Sequence, residues 1–153
     1  MRSSPIPLFL STLCLIAAAA AAASVPLGEP FVLGVGESVA VGDGGLVVGF
    51  NAILADSRCP VEALCFWEGD AEAQLWADAP VDPPLTFVLH TTLEPHLITT
   101  GHFRIELLWV APYPTIATVP IDPGTYEVTL VALSTAPTAN EPATWSTVKA
   151  LYR

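Results

Sequence analysis

Apolar side chains recur at every second position through most of the chain after residue 30, the spacing of strands that bury one face. Phe31, Leu33 and Val35 open the pattern, and Val39 and Val41 resume it after the Gly36–Glu37 break. The run Gly42-Asp43-Gly44-Gly45 is a turn signal. A long strand follows in which Leu46, Val48, Phe50, Ala52 and Leu54 share a face, with Gly49 marking a bulge or bend. Beyond a loop over 56–69, Ala71, Ala73, Leu75 and Ala77 alternate with Asp70, Glu72, Gln74, Trp76 and Asp78, and Pro80, Pro83 and Pro84 end that strand. Leu85, Phe87 and Leu89 form the next apolar set, and Phe103, Ile105, Leu107 and Trp109 the one after. A link rich in proline (Pro112, Pro114, Pro120) leads to a last strand over 126–133, where Tyr126, Val128, Leu130 and Ala132 face inward.

About seven short strands with turn signals between them predict an all-β, antiparallel β-sandwich of the immunoglobulin-like kind, with a small β-barrel as the alternative. Neither an amphipathic helix nor an internal repeat is evident. The predicted domain covers 24–133. Residues 134–153 read as a linker rich in Ala, Thr and Pro, then a tail or added strand from Trp145.

The segment 1–23 has a different pattern: Arg2, an apolar stretch from Ile6 to Ile16, then an alanine run to Ala23. That reads as a signal peptide, with cleavage expected after Ala23, although the apolar span is also long enough for a retained anchor. Leu13 is too large for the usual lipidation site before Cys14, so no lipid anchor is expected. Cleavage leaves four Lys/Arg against fifteen Asp/Glu, a formal charge near −11. Such a surface repels phosphate backbones and anionic lipid, which excludes nucleic acid as a partner class and leaves an unknown protein or a cationic partner. The same charge also serves solubility by itself. Cleavage removes Cys14 and leaves Cys59 and Cys65, which an oxidising compartment pairs as a local disulfide. The chain thus reads as secreted or periplasmic, with no membrane span once the signal is gone.

One segment is distinctive: Asp56-Ser57-Arg58-Cys59-Pro60, then Cys65-Phe66-Trp67-Glu68-Gly69-Asp70-Ala71. It resembles the D-S-R-C-P…C-x-W-x-G-x-A signature of small exported bacterial proteins with no assigned biochemical function. Similar proteins also carry a glycine-rich early strand and a late Tyr-x-Val-x-Leu strand, here Tyr126 to Leu130. The resemblance implies the fold and the disulfide, and supplies no activity. Asp122-Pro123-Gly124-Thr125-Tyr126 resembles the tyrosine corner of immunoglobulin-like sandwiches. Within the loop, Arg58 is expected to pair with Asp56 or Glu68, Trp67 to pack over the disulfide or the sheet, and Gly69 to turn the chain into the next strand. These roles are structural. A binding reading of the same loop places Val61, Glu62, Ala63 and Leu64 at a rigid tip that inserts into a partner's cleft, as a protease inhibitor or adhesive module does. Gly42 to Gly45 fits the G-x-G-G element of the chagasin-like inhibitors, whose N-P-T-T-G and R-P-W elements are missing.

His90, His96 and His102 are evenly spaced. A hairpin centred on residue 96 would set Leu89 against Phe103 and His90 against His102, close enough to share a metal, with His96 at the tip. Asp70 and Glu72 share a strand face and, with Glu68 and Asp56, offer oxygen ligands for calcium, although an exposed acidic face is the commoner outcome. No G-x-S-x-G elbow, H-E-x-x-H or P-loop occurs, so no catalytic residue and no cofactor are assigned and the chain reads as a non-enzymatic binding or interaction module. An exported metal-binding protein is the competing class.

Overall fold

The computed structural model describes residues 24–43, 45–80 and 82–135; the expected signal segment and all but the first two residues of the expected tail lie outside them. Eight strands follow in order: β1 Pro30–Gly34, β2 Ser38–Val41, β3 Leu46–Asp56, β4 Ala71–Ala79, β5 Asp82–His90, β6 Leu97–Thr100, β7 Phe103–Ala111 and β8 Glu127–Ser134. They form two four-stranded sheets, ordered β1-β8-β7-β6 and β2-β3-β4-β5. All strand pairs within the sheets are antiparallel. The chain is therefore an antiparallel β-sandwich rather than a closed barrel. Its single buried cluster draws on both sheets: Phe31 and Leu33, Val48 and Phe50, Leu75, Leu89, Ile105, Val110, Val128 and Leu130. Among the described residues no helix is long and apolar enough to cross a membrane.

The alternation is cleanest in β4, where Ala71, Ala73, Leu75, Ala77 and Ala79 are buried and the residues between them are not. Gly49 proves to be a matter of space. It lies opposite Trp76 in the β3–β4 register, and the indole fills the volume where a Cβ would stand.

Five expectations are corrected. In β3 the register shifts between Phe50 and Ala52 and again between Ile53 and Ala55. An inserted residue reverses which side chains face inward, so Ile53 packs on the core and Leu54 is exposed. The same event between Leu107 and Trp109 buries Val110 and turns Trp109 outward. Pro83 and Pro84 lie inside β5, an edge strand, at the register shift between Ala77 and Ala79 where neither proline is paired with β4. Leu85, in the same edge strand, is exposed. Finally, β5 pairs with β4, and β7 pairs instead with β6 and β8, in the other sheet. The hairpin centred on residue 96 does not form, so His90 and His102 are not cross-strand neighbours. The additional strand β6 takes the edge position that the hairpin would have filled.

Candidate functional site: a disulfide loop clamped by Arg58

The loop between β3 and β4 is built on Asp56, the last residue of β3. Its carboxylate accepts the backbone N–H of Arg58 at 3.1 Å, a local turn that aims the guanidinium back along the same carboxylate. Nε and Nη2 of Arg58 then donate to the two Asp56 oxygens at 2.9 and 2.7 Å, the bidentate fork. The remaining Arg58 donors reach the carbonyls of Val110 at 2.6 Å and Pro112 at 2.9 Å, tying the loop to the end of β7. Arg58 is 7% exposed, so a charge sits nearly buried with each terminal nitrogen engaged. Asp56, not Glu68, is its partner.

Tyr126 completes the network. It precedes β8 directly after a 3-10 turn over Pro123–Thr125 that Asp122 caps through the Gly124 N–H, and its hydroxyl donates to Asp56 Oδ2 at 3.0 Å. Burial by itself would raise the Asp56 carboxyl. The hydrogen bonds and charge of Arg58, with the Tyr126 hydroxyl, more than offset it and hold Asp56 below the ordinary carboxylate value. Burial, then the bond to Asp56 and its charge, push the Tyr126 phenol up to about 12.

The base of the loop is zipped from both sides. Ser57 N–H donates to the Asp70 carbonyl at 2.7 Å and Cys59 N–H to the Glu68 carbonyl at 2.8 Å. The Cys59–Cys65 disulfide forms, with Cα atoms 5.9 Å apart. Gly69 has φ +75°, and a Cβ there would collide with the Ser57 carbonyl, so only glycine fits this return into β4. The tip rests on the 112–121 connection. Val61 N–H donates to the Pro114 carbonyl at 3.1 Å, and the Glu62 carboxylate accepts the Ile116 N–H at 3.0 Å.

Above this framework the loop displays apolar surface. Leu64 and Phe66 are fully exposed, Val61 is 68% and Trp67 60% exposed. Trp67 thus presents more than half of its surface to solvent. Ile116 and Val119 of the neighbouring connection are also exposed. On one flank a groove of about 450 Å³ is lined by Arg58, Glu68, Thr91, Thr92, Trp109 and Tyr113. Trp109 stacks on Tyr113, ring centres 5.6 Å apart, and the Arg58 guanidinium carbon lies 5.0 Å from the Tyr113 ring centre.

Of the tip residues read from the sequence, Val61 and Leu64 are presented to solvent, Ala63 is half-buried, and Glu62 holds the neighbouring connection. Phe66, Trp67 and Trp109 were not singled out as surface residues. Phe66 and Trp67 lie in the C-x-W element, where an aromatic beside a disulfide reads as packing, and Trp109 is turned out by a bulge. The three histidines separate. His90 Nδ1 is 2.6 Å from Asp70 Oδ2, His96 Nδ1 is 3.0 Å from Glu94, and His102 lies in the β6–β7 turn. Asp70 and Glu72 do come together with His90.

No protein-family model, curated protein or solved structure matches the chain. The fold and the site therefore define a class, a disulfide-stapled β-sandwich with an apolar loop at one end, and any function must be argued from that site.

Proposed function

We propose that this protein is an exported, non-catalytic binding module that engages a protein partner through the 57–70 loop. The observation that carries this reading is the full exposure of Leu64 and Phe66 on a loop whose base is fixed by a disulfide, the Arg58 fork and two backbone bonds. A contiguous apolar patch on a soluble domain marks an interaction surface. A loop held rigid before contact loses little ordering entropy on association. The disulfide is in keeping with an oxidising compartment outside the cytoplasm. A non-catalytic role is supported by the state of the groove's strongest polar group, since Arg58 is committed to Asp56 and two carbonyls.

The test is photo-crosslinking in the cells that make the protein, with benzoylphenylalanine at position 66 and, as control, at Asp43 in the β2–β3 turn. That turn precedes β3 while the loop follows it, so the two lie at opposite ends of the strand. A discrete adduct from position 66, lost with Leu64→Ser and not seen from position 43, is the expected result. No adduct from position 66, or the same adducts from both positions, refutes the reading.

A further inference from the structure

Behind the groove wall, at the start of β4 and the end of β5, three side chains converge. Glu72 and His90 are direct partners in the β4–β5 register, and so project from the same face. Asp70 enters from the residue before β4 and is 4% exposed. One ligating atom of each lies within 4.8 Å of the other two.

The three are not equivalent. Asp70 Oδ1 accepts the Thr91 hydroxyl at 3.0 Å and the Thr92 N–H at 2.9 Å, so it is fixed in place. Oδ2 is left facing the imidazole, with one further acceptor position unused. Glu72 is half-buried, and its carboxylate makes no hydrogen bond or ion pair among the described residues. Two carboxylates thus meet with a single imidazole between them. The two arginines among the described residues are committed elsewhere, Arg58 to Asp56 and Arg104 to Glu106, so neither supplies counter-charge here. The arrangement resembles a ligand set whose charge a cation would balance. A carboxylate held by neighbouring donors beside a histidine is also how metal ligands are oriented by their surroundings.

We propose that Asp70 Oδ2, Glu72 and His90 bind one divalent transition-metal ion of the zinc type, with water completing its coordination. One nitrogen and two oxygens suit a borderline ion better than calcium, which takes six to eight oxygens. Bonds of about 2.1 Å to one ion set tetrahedral ligand atoms roughly 3.4 Å apart. Rotation of the unpartnered Glu72 side chain closes its side of the site. The Asp70–His90 pair opens by roughly 0.8 Å to admit the ion. The site is separate from the loop tip, so its occupancy and the partner binding proposed above are independently testable.

The experiment is calorimetric titration of the EDTA-stripped, disulfide-bonded protein with Zn²⁺, with Co²⁺ absorption as a spectroscopic reporter of coordination. The expected result is one ion per chain and a melting midpoint raised by more than about 10 °C at a thousandfold excess over Kd. Glu72→Gln weakens binding at least tenfold while leaving the metal-free midpoint unchanged, because Glu72 holds nothing in the fold. Glu106→Gln, which removes a carboxylate elsewhere, leaves affinity unaltered. His90→Gln shifts the Co²⁺ spectrum or abolishes it. Absence of binding at 1 mM Zn²⁺, affinity indifferent to Glu72→Gln, or binding of Ca²⁺ in preference to Zn²⁺ overturns the proposal.

Discussion

The side chain with the most at stake is Arg58. Its fork on Asp56 neutralises two nearly buried charges, and removing one partner strands the other. Arg58→Met is expected to destabilise the fold by about 3–5 kcal/mol, read as a fall in the urea midpoint. Lysine presents a point charge without the fork, so Arg58→Lys should recover only part of this. The network also sets a pH dependence. Asp56 and Asp70 titrate below their ordinary value of 3.8 in the folded chain, Asp70 because bonds from His90, Thr92 and Thr91 outweigh the opposing effect of burial. Both therefore stabilise the fold fully above pH ~4 and lose that contribution as pH falls through their lowered values. Urea midpoints measured from pH 6 to pH 2 should fall, and fall less steeply in Asp56→Asn. Tyr126 behaves in the opposite sense. Its contribution is complete below its ordinary value of 10.0 and is lost as pH rises toward 12, which ultraviolet titration of the phenol would follow. The Arg58–Asp56 pair was legible because only Ser57 separates its members; Tyr126 as its third member was not, because nothing local in Asp122 to Tyr126 points to a carboxylate 70 residues away.

At the scale of elements, the strands and their inward faces were readable wherever the phase of alternation held. β4 and β8 follow it from end to end. β3 and β7 do not, because each bulge inserts a residue and the period-two rule has no term for that. Leu54 and Trp109 were assigned inward for this reason, and Ile53 and Val110 took their places. Sheet membership was less legible still, because the hydrophobic pattern around residues 85–110 permits β5 to turn back on β7 or to close the other sheet beside β4. Gly49 offers a direct check on strand packing. Gly49→Ala drives a methyl into the Trp76 indole and should cost about 1–3 kcal/mol, and the penalty should shrink in the Trp76→Val background, a coupling that a double-mutant cycle in urea measures. The loop joining β3 to β4 can be weighed in the same way. Replacing both cysteines with serine should lower stability by roughly 2 kcal/mol on the chain-entropy account of so short a loop.

For the molecule as a whole, the acidic balance opposes nucleic-acid binding on electrostatic grounds. Its distribution adds what composition does not show. The basic side chains among the described residues are paired with acids, so the exposed field is anionic while the loop end carries Leu64, Phe66 and Trp67. A partner that meets this end would bury an apolar centre within an acidic surround, and a basic rim on that partner would speed encounter at low salt. The sandwich and the staple could be read from residue order alone. The tip residues Val61 and Leu64 could be read too, but the exposure of Phe66, Trp67 and Trp109 could not, since it depends on which large side chains the core leaves out.

The zipped base of the 57–70 loop separates two demands that usually compete. Fold stability rests on Asp56, Arg58, Gly69 and the disulfide, whereas Val61, Leu64 and Phe66 add little to it. Leu64→Ser and Phe66→Ser should each change stability by no more than about 0.5 kcal/mol. Positions 61, 63, 64 and 66 then behave as a replaceable cassette, with Glu62 retained for its hold on Ile116. On the proposed role of the loop, its recognition chemistry can be rewritten there without renegotiating the architecture beneath it, one surface residue at a time.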